Sequence, residues 1–418
     1  MPRKSSVTPS PARASTRPEP RTRPRTSGGF QSTVLVLQGG GALGAYQAGV
    51  YEALAAAGIA PDWVAGISIG AINSALIAGN RPEDRVARLR AFWEQVSSGH
   101  ETPWSGLVGD GWPGTLPGGA WMRGLLNQFA AGEVMLRGAP GFFTPRTPPP
   151  VLRPPGTAGA TSWYETAELR RTLERLVDFD RINHGEPRFS VGAVNVRTGN
   201  FTYFDNRTTT IRPEHVMASG ALPPAFEAVE IDGEPYWDGG LVSNTPLDWV
   251  LNARTELDTL VFQVDLWSAR GEAPQDLAEV AVRMKEIQFS SRTRAATDAF
   301  RRMQTLRASF NALLDKMPEE LRNTPEARLL ARASDPAVYN IVQLIYQSAT
   351  YEGQSKDYEF SRTTMEEHWQ AGRRDAERTL AHPEVLTPPA RAFAVQTFDF
   401  TSAAGHGRST PLPLDSLT

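Results

Sequence analysis

The sequence predicts an α/β fold in which a mainly parallel central sheet carries helices on its faces. Two observations lead to this prediction. Short apolar, β-branched runs alternate with longer helical patterns, and glycine-rich turns separate a run from the helix that follows it. Parallel strands are joined by crossover helices and are buried on both faces, so their sequences are apolar throughout.

In the first hundred residues, two predicted strands are each followed by a helix, and a third helix comes after them. The elements are strands 33–37 and 63–67 and helices 45–57, 69–78 and 85–96. The strands are short runs of β-branched and other apolar residues. Gly58 ends the first helix, and the small side chains of the second helix predict close packing against the sheet.

Regular patterns return after residue 160. The predicted elements are strands 189–196, 200–204 and 260–266 and helices 164–177, 275–321, 337–346 and 362–380. In the longest helical region, five apolar residues share one face: Phe300, Met303, Phe310, Leu313 and Met317. The basic stretch 292–307 around them predicts either packing against the preceding domain or contact with anionic lipid.

Composition excludes several classes of protein. The 418 residues have a net charge of −3, which gives no reason to expect a nucleic-acid partner. There is no cysteine, which excludes disulfides, thiolate metal ligands and a cysteine nucleophile, and fits a reducing compartment. Because no apolar run reaches about 18 residues, the sequence predicts a cytoplasmic protein, with peripheral contact to a membrane surface as a further expectation.

Residues 39–44 (GGGALG) form a glycine-rich turn between the first strand and its helix. Glycine lets a ligand approach the main chain, and the start of the helix offers unpaired N–H groups and a positive dipole end. Such a turn binds an anion, either a phosphate or a developing oxyanion. Two alternatives remain open. One is a dinucleotide site, although Asp62 lies at the start of the second strand and not at its end. The other is a purely structural turn.

Residues 66–70 (GISIG) match G-x-S-x-G. Ser68 lies where an apolar strand gives way to a helix, which is the setting of a nucleophile elbow. The glycines two residues before and after it leave room for a sharp turn. We predict that Ser68 is a nucleophile, and the alternative is a buried, hydrogen-bonded serine in a tight turn.

A serine nucleophile needs a base, and none of the six histidines lies in a motif. Asp238 is the better candidate, since Gly239 and Gly240 follow it and let its carboxylate approach another backbone closely. An aspartate with an ordinary pKa of about 3.9 is a poor base, so the prediction requires burial, which raises the pKa. The alternative is an aspartate in an exposed turn.

Together these motifs resemble the patatin-like phospholipase family. The resemblance rests on residues 39–44, 66–70 and 238–240 (DGG), and is reinforced by residues 217–226 (MASGALPPAF), which resemble the family's segment before its aspartate. All four occur in the order found in the family. Gln38 is a departure, because many members carry an acidic residue before the glycines.

The resemblance implies a three-layer α/β fold and a serine–aspartate dyad without a histidine. Ser68 would be the nucleophile and Asp238 the base. The oxyanion hole would consist of the backbone N–H groups of Gly39, Gly40, Gly41 and Ala42. No metal and no other cofactor is implied.

The resemblance and the composition together divide the chain into four predicted regions. They are a disordered tail 1–31, a catalytic domain 32–268, a mostly helical C-terminal extension 269–400 and a tail 401–418. The first tail is rich in Pro, Ser, Thr and Arg and too poor in apolar residues to fold alone; weak attraction to anionic lipid is the alternative for it. Residues 351–360 resemble an uncharacterised C-terminal extension of some bacterial members.

Residues 101–160 interrupt the predicted catalytic domain as an insertion rich in Gly and Pro. Long segments without periodicity inside a domain are often functional loops. Trp104, Trp112 and Trp121 favour a lid or a lipid-facing surface, and a surface loop without such a role is the alternative.

The predicted function is hydrolysis of carboxylic esters in lipids through an acyl-enzyme on Ser68. Within the hydrolases, the alternative is a short-chain esterase or thioesterase. Outside them, the alternatives are a lipid-binding protein that retains the fold without catalysis and a nucleotide-dependent enzyme.

Overall fold

The computed structural model describes residues 29–98, 131–253, 256–348, 355–391 and 393–401, with only the backbone at 278 and 291–295. The predictions for the two tails and for Trp104, Trp112 and Trp121 concern residues outside these ranges, apart from residues 29–31 and 401.

The described chain alternates strands and helices over most of its length. The strands are β1 (Ser32–Leu37), β2 (Trp63–Gly66), β3 (Thr144–Pro145), β4 (Tyr164–Glu165), β5 (Arg188–Asn195), β6 (Phe201–Asp205), β7 (Val229–Ile231), β8 (Glu234–Asp238), β9 (Thr259–Asp265), β10 (Tyr339–Ile345) and β11 (Val395–Asp399). The helices are α1 (Gly44–Ala56), α2 (Ile69–Ala78), α3 (Arg85–Val96), α4 (131–137), α5 (Ala167–Leu176), α6 (Phe179–His184), α7 (Pro213–Ser219), α8 (Leu247–Asn252), α9 (Leu277–Lys316), α10 (Glu319–Arg322), α11 (Pro325–Ala333) and α12 (Arg362–Leu380).

The central sheet has the strand order β11-β10-β9-β1-β2-β5-β8-β7, and β6 also pairs with β5. The six strands from β11 to β5 are parallel to their neighbours. The pairs β5–β6, β5–β8 and β7–β8 are antiparallel. The sheet is therefore mainly parallel, as the sequence predicts, with an antiparallel edge.

Side chains of β1 alternate between two cores. Leu35 and Leu37 belong to the large cluster that contains α1 and α2. Val34 and Val36 belong to a second cluster on the opposite face, together with α8 and with Phe300 of α9. Because successive side chains of a strand point to opposite faces, the two clusters define three layers, with helices on both sides of the sheet. The three-layer α/β prediction is confirmed.

The C-terminal region is part of the same sheet. Strands β10 and β11 extend it beyond β9, so the sequence division at residue 268 separates two parts that share one sheet.

Helix α12 packs against α1 through glycines on both helices. A Cβ on Gly49 would lie 1.9 Å from the Trp369 carbonyl oxygen, and one on Gly372 would lie 2.0 Å from that of Tyr46. Only glycine permits this approach of two helix backbones.

The helix predicted for residues 337–346 is wrong, because these residues contain the buried strand β10. A short apolar run fits both structures, and here the open edge of β9 favours a strand. The helix predicted for 164–177 begins only at Ala167, after the two-residue strand β4. The long predicted helix ends at Lys316, with Met317 and Pro318 in extended conformation before α10.

Helix α9 packs against the added strands through part of its length. Phe300 is buried against Tyr339, with ring centroids 5.0 Å apart, and Arg301 donates to the Thr397 hydroxyl at 2.9 Å. For the described side chains of residues 292–307, these contacts favour packing within the protein over contact with anionic lipid. Of the five apolar residues predicted to share one face of this helix, Phe300 is buried, whereas Met303 and Leu313 are exposed.

Within the described ranges, no helix combines the length and the apolar character that crossing a bilayer requires.

Candidate active site

The sheet brings the glycine turn and the serine to one edge. Strands β1 and β2 are parallel neighbours, and Leu37 at the end of β1 is paired with Gly66 at the end of β2. The turns that follow two such strands leave the sheet side by side. Residues 39–44 and Ser68 therefore lie together, and a Cβ on Gly39 would come within 3.0 Å of the Ser68 Cβ.

Ser68 occupies a strained turn between β2 and α2. Its φ of 56° and ψ of −123° place it in the left-handed region that L side chains rarely adopt. The neighbouring glycines make the turn possible: a Cβ on Gly66 would lie 2.2 Å from the Gly70 carbonyl oxygen, and one on Gly70 would lie 2.3 Å from that of Leu37. This geometry is that of a nucleophile elbow.

Asp238 ends β8 and lies in the interior, with 2% of its surface exposed. Its carboxylate accepts a hydrogen bond from the Gly240 N–H at 2.7 Å, and the Ser68 hydroxyl lies close enough to lower its pKa. Burial raises the pKa of Asp238 to about 7, although the Gly240 N–H and the Ser68 hydroxyl act to lower it. A carboxylate with this pKa is a far better proton acceptor near neutral pH than an exposed aspartate.

Residues 217–226 hold the serine and the aspartate relative to each other. The Ser68 N–H donates to the Ser219 carbonyl at 3.1 Å, and the Asp238 N–H donates to the Ala221 carbonyl at 3.0 Å. The Ser219 hydroxyl donates in turn to the Gly192 carbonyl of β5 at 2.6 Å. The segment thus connects the backbones of Ser68 and Asp238 to each other and to the sheet.

Two of the four predicted oxyanion donors are already engaged. The Gly39 N–H donates to the Asn244 carbonyl at 3.1 Å, and the Ala42 N–H donates to the Asp357 carbonyl at 2.8 Å. The N–H groups of Gly40 and Gly41 have no acceptor among the described residues. Since a donor already in use cannot stabilise an oxyanion, Gly40 and Gly41 are the two of these four residues whose amides are available to one.

Gln38 anchors the start of the glycine turn and is completely buried. Its side-chain oxygen accepts from the backbone N–H groups of Leu266 and Trp267, at 2.6 and 3.0 Å. Its amide nitrogen donates to the Thr245 hydroxyl at 2.9 Å and to the Phe289 carbonyl at 3.2 Å. A carboxylate could not donate the last two bonds. The glutamine at position 38 therefore makes two contacts that the acidic residue of many family members could not make. Gln38 has a positioning role that the sequence did not reveal.

Asn244 fixes the same turn from a second side. Its amide donates to the Gly39 carbonyl at 3.0 Å, in addition to the backbone contact that it makes with the Gly39 N–H. The residue follows Asp238 closely in sequence, within a run of small polar residues, but only the fold shows that it contacts the turn.

A cavity of about 330 Å³ lies over Ser68 and Asp238. Its walls are mostly apolar: Ile69, Ile72, Val134, Met135, Phe142, Phe143, Tyr164, Leu222, Phe226, Phe289 and Phe360. The rings of Phe142, Phe143, Phe226 and Phe360 pack with centroids 5.2 to 6.2 Å apart. Met135 lines the cavity and is 54% exposed, so the cavity reaches the surface beside α4. The predicted insertion 101–160 therefore contributes to the wall through its described residues.

No histidine of the described ranges lines this cavity; these are His184, His215, His368 and His382. Nor do the described residues include a group of three His, Asp or Glu side chains with metal-ligand geometry. Asp238 is thus the group in contact with the Ser68 hydroxyl that can accept its proton.

Two family models match parts of the chain. The family model described as "Patatin-like phospholipase" matches residues 35–251, and a second model described as "Patatin phospholipase" matches residues 287–392. A crystal structure of VipD from Legionella pneumophila is similar at 16% identity and a TM-score of 0.35, over 86% of this chain and 69% of that one. The comparison with curated proteins found no match.

The first family match covers more than half of the 418 residues and contains the glycine turn, Ser68 and Asp238. It confirms the resemblance inferred from the motifs, and it supports lipid hydrolysis as the class of activity. The chain belongs to the patatin-like phospholipase family.

Proposed function

We propose that this protein is a serine acyl hydrolase that cleaves carboxylic esters of lipids through Ser68 and Asp238. The observation that carries the proposal is the position of Ser68 beside the buried carboxylate of Asp238, in the lining of one apolar cavity. A strained serine, a base in contact with it and two amides without a protein acceptor are the parts that acyl transfer needs.

In the first half of the reaction, the Ser68 oxygen attacks the ester carbonyl carbon while Asp238 accepts the hydroxyl proton. The carbonyl oxygen becomes an oxyanion, which the N–H groups of Gly40 and Gly41 stabilise. Each such donor contributes about 3 kcal/mol to the transition state. When the intermediate collapses, the bond to the alcohol oxygen breaks and the leaving alcohol takes the proton from Asp238.

In the second half, a water molecule attacks the acyl group on Ser68 and gives a proton to Asp238. The second tetrahedral intermediate uses the same two amides. Its collapse breaks the bond to the Ser68 oxygen, which recovers the proton from Asp238 as the carboxylic acid leaves. One carboxylate thus serves as base and then as acid in each half.

The cavity supports an acyl chain as the part of the substrate that the protein buries. Its aromatic and aliphatic walls match a hydrocarbon chain, and such a site binds mainly through apolar burial. The engaged Ser68–Asp238 pair argues against a lipid-binding protein without catalysis. A short-chain esterase would leave most of this apolar volume empty, and a thioesterase is distinguished by the substrate test below.

A direct test uses purified protein with two kinds of substrate. The first is a series of p-nitrophenyl esters from acetyl to palmitoyl, and the second is phosphatidylcholine vesicles assayed for released fatty acid. The proposal predicts turnover that increases from acetyl towards longer chains, and fatty-acid release from the vesicles. Turnover of acetyl esters alone would point to a short-chain esterase, and turnover of thioesters in preference to oxygen esters to a thioesterase.

Contact with a membrane surface is part of the proposal, because the esters of phospholipids lie in bilayers. Beside the opening of the cavity, Leu136 of α4 is 81% exposed and adjoins Met135. We predict that Leu136→Glu lowers hydrolysis of vesicles by about tenfold or more, since withdrawing a leucine from an apolar phase costs about 1.5–3 kcal/mol. Hydrolysis of dissolved p-nitrophenyl butyrate should stay within about twofold, because Leu136 does not line the cavity.

A matched control is Leu329→Glu on α11, where the leucine is 69% exposed and does not line the cavity. This variant should hydrolyse both substrates at the wild-type rate. Equal losses on vesicles for both variants would indicate a general effect of added negative charge, and would contradict a membrane contact at α4.

A further inference from the structure

The C-terminal region contacts the glycine turn directly. The Ala42 N–H donates to the carbonyl of Asp357 at 2.8 Å. A Cβ on Gly41 would lie only 2.0 Å from the same oxygen. The segment 355–360, far from the catalytic motifs in sequence, therefore packs backbone to backbone on the two residues that end the predicted oxyanion hole.

Two ion pairs fix this segment to the start of α9. Lys285 donates to both carboxylate oxygens of Asp357, at 2.9 and 3.0 Å. Glu286 accepts from Lys356 at 2.8 Å. Lys285 and Glu286, which are adjacent on α9, thus pair with Asp357 and Lys356, which are adjacent in the segment. Charge-assisted bonds in a partly buried setting hold a fixed geometry better than exposed pairs do.

The start of α9 is itself attached to the turn. The Phe289 carbonyl accepts from Gln38 at 3.2 Å and from Asn244 at 3.4 Å. Phe289 and Phe360 both line the cavity. The turn, the first part of α9 and the segment 355–360 therefore form one connected set of contacts around Ser68.

We propose that Lys285 and Asp357 are positioning residues for the reaction: their ion pair holds the segment 355–360 against residues 41–42 and so sets the position of the oxyanion-binding amides. The inference rests on the proposed function of Ser68 and Asp238, and it assigns the C-terminal region a part in that site. Neither side chain takes a proton or forms a bond. A displacement of about 1 Å in catalytic geometry is enough to cost about 10²-fold in rate.

The test compares Lys285→Met, Lys285→Arg, Asp357→Asn and the double variant Lys285→Met/Asp357→Asn on p-nitrophenyl butyrate. We expect kcat to fall about tenfold or more in Lys285→Met and Asp357→Asn, with KM within about twofold. Lys285→Arg keeps the charge and should retain most of the activity. The double variant should be no slower than the slower single variant, because both substitutions remove the same interaction.

Affinity for a transition-state analogue distinguishes positioning from a general loss of structure. A trifluoromethyl ketone forms an oxyanion with an active serine, so its inhibition constant should rise by the same factor by which kcat falls. Binding of the matching unfluorinated methyl ketone, which stays neutral and forms no oxyanion, should change much less. The control variant is Arg391→Met, which breaks a 2.6 Å ion pair with Asp258 just before β9, at the end of the sheet opposite the turn. It should keep the wild-type kcat.

Single variants that fold and keep the wild-type kcat would overturn the inference, and so would equal weakening of the trifluoromethyl ketone and its unfluorinated counterpart. If Lys285→Met does not fold, Asp357→Asn decides, because it keeps the backbone carbonyl that contacts Ala42. A wild-type protein that hydrolyses no ester and does not react with the ketone would contradict the proposed function itself. An active wild type with unaffected variants would contradict only the role of the C-terminal segment.

Discussion

Replacement of Ser68 by alanine should abolish ester hydrolysis. We expect kcat to fall by roughly 10⁴- to 10⁶-fold, because the loss of a nucleophile that works together with its base removes the covalent route. The loss should be equal for p-nitrophenyl butyrate and for phospholipid vesicles, since both use the same acyl-enzyme. Initial rates with both substrates measure it.

The fold should tolerate this change. The Ser68 backbone is held by its N–H bond to Ser219 and by the close packing of Gly66 and Gly70, and none of these contacts needs the hydroxyl. A thermal unfolding midpoint close to that of the wild type is the control. Turnover that survives in a folded Ser68→Ala variant would show that another residue is the nucleophile.

Replacement of Asp238 by asparagine should produce the second-largest loss and remove the pH dependence of the rate. Asparagine fills the same space but cannot accept the proton, so kcat should fall by roughly 10²- to 10⁴-fold. In the wild type, the carboxylate is the active form. Because burial raises the pKa of Asp238 to about 7, activity should increase as pH rises through about 7 and level off above it.

A pH–rate profile of kcat/KM from about pH 5 to 9 tests this assignment, because it reports the ionisation of the free enzyme. A profile already flat from pH 5 would mean that the essential group is an aspartate with an ordinary pKa. Rates within about tenfold of wild type in Asp238→Asn would remove Asp238 from the reaction. The matched control is Asp248→Asn, which changes an aspartate that does not contact Ser68 and does not line the cavity over it.

The sequence was sufficient for the parts of the site that depend on local structure. The Ser68 elbow is encoded by a strand, two glycines and a helix within one short stretch, and its strain follows from that turn. The two motifs after β1 and β2 meet because neighbouring parallel strands end at the same edge. Asp238 was a candidate because two glycines follow it, and the family resemblance implied its role as the base; its burial became visible only in the fold.

The sequence was insufficient where partners lie far apart in the chain. Gly39 and Ala42 were predicted as oxyanion donors, but their N–H groups are used by Asn244 and Asp357. Such contacts leave no local pattern. The same holds for strand β10, predicted as a helix, because a seven-residue apolar run acquires its structure from the neighbouring strand.

The measurement that tests the central claim most directly is covalent labelling with a fluorophosphonate, mapped by peptide mass spectrometry. The reagent phosphonylates a serine only when a base and an oxyanion hole activate it. We predict a single adduct, on the peptide that contains Ser68, formed at a rate that falls together with ester turnover in Asp238→Asn. An adduct on another serine, or ester turnover without any adduct on Ser68, would contradict the assignment of Ser68 and Asp238 as the catalytic pair.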